Sequence, residues 1–163
     1  MGDELDLDHT SITLLFSVGE EAQMQGALAY VRDRGKMENS WPLPTHVVNL
    51  EVLGQNGGYL LWDEDGTAML RLPTDPALNR ALEQAVEAVT EARPVRVPAI
   101  SCDGFAFLRR GIPAATLGSF DLDLGGRGLH SALDDPRRVD PGRLKEAVAV
   151  LSYVLADMDA GAG

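Results

Sequence analysis

Three glutamates and one histidine have the residue types and the placement for metal-assisted chemistry: Glu20 and Glu21 side by side, Glu51, and His130. The stretch LFSVGEEAQMQG, residues 15–26, ends an apolar run on two adjacent carboxylates. Carboxylates at the mouth of a sheet cost free energy unless they are solvated, paired or bound to a cation. Carboxylate oxygens and imidazole nitrogen are suitable zinc ligands. Of two adjacent glutamates, one can bind metal while the other serves as general base to an activated water. Plainer readings stand beside this one. A Glu-Glu pair ahead of a helix also favours the helix dipole, and a strand glutamate near a sheet edge can simply reach water.

These residues lie far apart in the chain, so the elements that carry them must bring them together. Residues 11–17, SITLLFS, read as a short strand covered on both faces. Residues 22–34 follow as a helix, with Gly35 as its cap. HVVNLEVLG reads as a second strand ending near Glu51 to Gly54. YLLW reads as a third, and Asp65-Gly66 marks a turn before TAMLRL, giving a local antiparallel hairpin. Thr74-Asp75-Pro76 opens a helix whose buried stripe is Leu78, Leu82, Ala85, Val86 and Val89. VRVPAI is a strand, Cys102 to Arg110 a short helix ended by Gly111, and IPAATLG another buried strand. A glycine-rich loop then carries His130. The last helix opens at Asp140-Pro141, with Leu144, Val148, Leu151 and Leu155 as its apolar face. Strands alternating with helices specify the α/β class. In such sheets, sites gather outside the carboxyl ends of parallel strands, where Glu20, Glu21, Glu51 and His130 can converge.

The chain has 163 residues, enough for one domain with a real core, and no internal repeat. Its 25 Asp and Glu against 14 Lys and Arg give a net charge of −11. That balance disfavours nucleic acid and anionic membranes as partners and suits a divalent cation. Cys102 is the single cysteine, which excludes an internal disulfide and a cysteine-built zinc site, and it reads as a small buried residue. The acidic start MGDELDLDH lacks the basic and apolar regions of a signal peptide, so the chain as written reads as cytoplasmic.

Four segments together carry a resemblance. SITLLFSVGEEAQMQGALAYV resembles the strand, glutamate pair and helix of the zinc-dependent aminopeptidase family that includes bacterial leucyl aminopeptidases and glutamate carboxypeptidase, with Gly19, Glu20, Glu21, Gly26 and Tyr30 matching. VVNLEVLG is similar to that family's Asn-Leu-Asp strand, with Glu51 where aspartate is usual. SCDGFAFLRRGIPAATL resembles its Ser-Asp-x-x-x-Phe and Gly-Ile-Pro-Ala segment, through Ser101, Asp103, Phe107, Gly111, Ile112, Pro113 and Ala114. LHSALDDPRRVDPGRL is similar to the His-Thr, Asp, Asp segment ahead of the last helix.

The resemblance implies an α/β three-layer sandwich with a mostly parallel mixed sheet, of the zinc-exopeptidase type. It implies Glu20 as general base, Glu21 and His130 on one zinc, and Glu51 on the other, with one or two zinc ions in the family and a peptide or aminoacyl substrate. The family also carries a His-x-Asp segment and a bridging aspartate, tens of residues ahead of the glutamate pair. Neither is found in residues 1–10, so the resemblance implies a chain truncated at its N-terminus: an acidic segment over 1–10, the domain over 11–158 and a tail over 159–163. Asp6, Asp8 and His9 read as that solvated segment. The resulting expectation is a metallo-aminopeptidase domain, which pairs with a second copy or a partner chain through the exposed N-terminal side of its sheet. The alternatives are a catalytically inactive remnant serving as a binding or assembly module, and a low-affinity metal-binding domain without turnover.

Overall fold

The fold is that of a computed structural model, which describes residues 6–37, 41, 44–55, 57–98, 101–119 and 135–162. A sheet of four strands lies between two helical layers. β1 (Val47–Glu51), β2 (Tyr59–Trp62), β5 (Val95–Val97) and β6 (Ala114–Ser119) are arranged in the order β1-β6-β2-β5. β1 runs parallel to β6 and β2 parallel to β5, while β2 is antiparallel to β6. The layered α/β class with a mixed sheet is therefore as expected.

Strand alternation sorts the side chains between the two layers. Tyr59, Leu61, Ala115 and Leu117 face α2 (Pro76–Thr90) and α4 (Pro141–Ala160), and pack with Leu82, Val86, Val150 and Val154. On the other face Ala114 and Val47 meet α1 (Gln25–Arg34) and α3 (Gly104–Leu108) through Ala27, Val31, Ala106 and Phe107. The helix starts follow from capping chemistry. Asp75 accepts the amides of Ala77 and Leu78 just before Pro76, and Asp140 accepts that of Gly142 just after Pro141.

Three local expectations are corrected. Residues 11–17 form no strand: the stretch is irregular, and Ile12, Leu14, Leu15, Phe16 and Val18 are exposed. β1, at one edge of the sheet, has no ladder partner on its free side among the described residues, and an extended run without such a partner leaves its backbone groups to solvent. The hairpin is displaced along the chain. YLLW pairs with β5 and β6 instead, and the hairpin joins β3 (Glu64–Gly66) to β4 (Arg71–Pro73). Asp65 and Gly66, expected as its turn, lie in β3. The buried stripe of α4 is rotated: Ala147, Val150 and Val154 face the core, whereas Leu144 and Val148 are exposed. Apolar residues occur on several faces of that helix, and Ala147, Val150 and Val154 are the ones that join the core cluster with Leu78, Leu82 and Val86 of α2.

The exposed apolar run gives a testable result. Sedimentation of the purified chain is expected to show a concentration-dependent dimer or larger species, which Leu14→Lys together with Phe16→Lys converts to monomer. A monomer at all concentrations would argue against self-association through this segment.

Candidate active site

The glutamate pair sits in a tight, glycine-shaped turn ahead of α1. Gly19 has φ +73°, and its carbonyl accepts the amides of Ala22 and Gln25. The Met24 amide donates to the Glu20 carbonyl at 2.7 Å. Gln23 and Met24 are both left-handed, with φ of 68° and 57°, which turns the chain sharply into the helix. Helix α1 therefore begins later than the expected residue 22. Glu20 is partly buried and Glu21 is exposed.

Glu51 is the last residue of β1 and pairs with Gly118 at the carboxyl end of β6. It is half-buried and accepts a hydrogen bond from the Asn49 side chain at 3.1 Å. Burial pushes its carboxyl pKa up; the Asn49 bond opposes that, and the nearby negative charges of Glu20, Asp103 and Asp65 add to it. Glu20 and Glu51, from two separate segments of the sequence pattern, are thus electrostatic neighbours. The placement of Glu21 relative to Glu51 is carried only by its adjacency to Glu20. His130 lies outside the described residues, as does the glycine-rich loop around it.

Asp65 is a buried site residue that the sequence reading missed. Its side chain has no solvent exposure, and it accepts the Cys102 amide at 3.1 Å and the Cys102 thiol at 2.7 Å. Burial outweighs these bonds and raises its pKa to about 6. Cys102 is buried as expected, with its thiol pKa pushed up by burial and by Asp65. Its sulfur also meets the Thr116 hydroxyl at 3.4 Å, and Thr116 lies 3.5 Å from the Asn49 amide that serves Glu51. A polar thread therefore runs beneath the site from Glu51 to Asp65. The Asp-Gly pair gave a turn signal strong enough to hide this role.

Asp6, Asp8 and His9 are exposed, and the amides of Asp8 and His9 donate to Asp159 near the end of α4. The other end of α4 begins beside β1, where the Asp140 amide meets the Gly54 carbonyl. Twenty helical residues span about 30 Å, so this acidic segment is held far from Glu51. A groove of about 560 Å³, lined by Pro73, Asp75, Asn79, Ile112 and Pro113, opens at the start of β6 and includes neither Glu20 nor Glu51 in its lining.

Comparison with known proteins shows the family of the chain and the relatives of its fold. The family model described as "Peptidase family M28" matches residues 3–155. The chain belongs to peptidase family M28. No curated protein matches the sequence. Among solved structures, the M28 chain is similar to the LapA aminopeptidase of Legionella pneumophila, with a TM-score of 0.64 and 18% identity over 91% of this chain and 38% of that one. An aminopeptidase from Aneurinibacillus sp. strain AM-1 gives 0.65 and 16% identity, over 88% of this chain and 32% of the other. BSAP, a zinc aminopeptidase from Bacillus subtilis, gives 0.57 and 15%, over 83% and 32%. At these identities the likeness shows the fold. This M28 chain spans less than two fifths of the length of each of those structures.

The donor chemistry present suits a zinc ion of the kind named for BSAP. Glu51 feels the negative charges of Glu20 and Asp103, and Asp103 Oδ1 is buried without a hydrogen-bond partner among the described residues. Those residues alone contain no group of three or more His, Cys, Asp or Glu side chains arranged to hold a metal ion. His130 is not among the described residues. No helix among the described residues is long and apolar enough to cross a membrane.

Proposed function

We propose that this chain is a zinc-dependent aminopeptidase-type domain acting on the N-terminal bond of peptides or aminoacyl compounds. Glu20 is its general base, and Glu21, Glu51 and His130 are its zinc ligands. The observation that carries the reading is Glu51: a half-buried carboxylate at a strand's carboxyl end, with its pKa raised by burial and by carboxylate neighbours. A cation relieves that crowding. Zinc, when bound, supplies Lewis-acid polarisation of the scissile carbonyl and lowers the pKa of water.

The remaining work falls to side chains. The Glu20 carboxylate takes a proton from the attacking water and returns it to the departing amine. Asn49, bonded to Glu51 Oε1, fixes the orientation of that carboxylate. Glutamate where the family uses aspartate lengthens the arm by one methylene and keeps the same donor atoms. A second copy or a partner chain covers the exposed run around Leu14 and Phe16.

The test is to add zinc to the purified chain, count bound metal and assay aminoacyl-p-nitroanilides. Glu20→Ala is expected to keep the zinc and to lose turnover by about 10²-fold or more. Glu51→Ala is expected to lose zinc. Zinc without turnover in the unaltered chain would favour a metal-binding domain, and neither would favour a binding or assembly module.

A further inference from the structure

The segment that carries Glu20 and Glu21 has no β-ladder of its own among the described residues, so something else must hold it in place. The turn 101–103, ahead of α3, touches it on both sides of the pair. Three residues before Glu20, the Ser17 hydroxyl donates to Asp103 Oδ2. Three residues after Glu21, the buried Met24 sulfur lies 3.8 Å from the Ser101 hydroxyl.

Asp103 occupies the position where an aspartate ordinarily accepts the first amides of a helix, yet it makes no capping bond to α3. Its carboxylate is committed to Ser17 instead. The turn itself is braced from below, because Asp65 holds both the amide and the thiol of Cys102. Asp103 is thereby tied to a rigid base on one side and to the irregular segment on the other.

We infer that Asp103 is a positioning residue, which through Ser17 sets where the Glu20–Glu21 turn stands relative to Glu51. This inference rests on the proposed zinc site for its functional meaning, while the latch itself is a property of the metal-free chain. Its consequence is local. Breaking the bond loosens residues 17–24 and leaves the sheet and α4 as they are. Asparagine at 103 keeps an oxygen acceptor for Ser17, so it retains the latch; alanine does not.

Amide hydrogen exchange on the metal-free chain tests this. The amides of Met24, Gln25 and Gly26, which bond back to Glu20, Gly19 and Val18, are the reporters. Asp103→Ala and Ser17→Ala are each expected to speed their exchange about tenfold, and the double variant no further. Asp103→Asn should stay near the unaltered rate, and amides in the middle of α4 should not change in any variant. Reporter rates unchanged in Asp103→Ala, or equal acceleration throughout α4, would overturn the inference.

A zinc titration of the same proteins adds the functional arm. Asp103→Ala is expected to weaken zinc about 10-fold or more, with Asp103→Asn restoring most of the affinity. If the unaltered chain binds no zinc, the proposed function fails, whereas the exchange result still decides the latch. If it binds zinc and Asp103→Ala binds equally well, the positioning role fails while the zinc site stands.

Discussion

Acidifying a solution of this protein from pH 7 towards pH 4 is expected to raise its melting temperature. The source is Asp65. Its pKa stands near 6 in the folded chain because burial disfavours the charged form, against an ordinary value of 3.8. The folded state therefore binds the proton more tightly than the unfolded one. Below about pH 4 both states are protonated and the fold carries no penalty. As pH rises through the interval between the two values, stability is lost, and above about pH 6 the loss is complete at about 3 kcal/mol. About half of that loss is relieved on going from pH 7 to pH 5. For a chain of this length the full effect corresponds to about 6–12 °C.

Glu51 acts in the same direction, since its pKa is also raised, and partial neutralisation of a −11 chain eases self-repulsion as well. Asp33, whose pKa Arg32 and Lys36 hold down at about 2, opposes the trend only below its ordinary value of 3.8. Calorimetry between pH 4 and 7 checks the slope. Asp65→Asn should flatten most of it and Glu51→Gln a smaller part. A melting temperature that falls steadily from pH 7 to 4 in the unaltered protein would contradict the burial of a charged Asp65.

Gly26→Ala is expected to destabilise the protein by about 2–3 kcal/mol, although alanine is the better helix former. Gly26 is the second residue of α1, where the exchange would ordinarily gain up to about 1 kcal/mol. Here the space is taken. A β-carbon at 26 would stand 2.4 Å from the Val18 carbonyl oxygen and 2.7 Å from the Val18 nitrogen. Both are backbone atoms, and the same contact carries the bond from the Gly26 amide to the Val18 carbonyl at 2.9 Å. Relief therefore requires α1 and the Glu20 segment to part, which lowers stability and displaces the glutamate pair together. Gly58→Ala is the control, because a β-carbon there meets nothing within 4 Å. Chemical denaturation of the two variants measures the difference; equal midpoints would show that α1 and Val18 are not packed this closely.

Legibility in the sequence followed the range of the interaction. The starts of α2 and α4 were readable because Asp75-Pro76 and Asp140-Pro141 determine them within three residues. β1 and β6 were readable from continuous apolar runs, and Glu51 stood out as a charge within one of them. What depended on distant partners was not readable. The run 11–17 has the composition of a strand, but pairing needs a neighbour, and β1 supplies none on its free side among the described residues. Asp65 looked like a turn residue because only Cys102, 37 residues away, reveals its acceptor role. Asp103 stood in a motif, yet its bond to Ser17 spans 86 residues and left no local trace. The α4 face was misjudged because several of its faces are apolar, and α2 decides between them.

The strand order also dictates the timetable of synthesis. β6 lies between β1 and β2, and the partners Asn49 and Thr116 are 67 residues apart in the chain. While the chain is still being made, β2 can pair only with β5 and β1 has no ladder partner among the described residues, so most of the sheet must wait for residues 114–119 to leave the ribosome. Nascent intermediates of this protein expose apolar strands for longer than a hairpin-built sheet of equal size would, which makes chaperone capture and low growth temperature the conditions under which it should be produced.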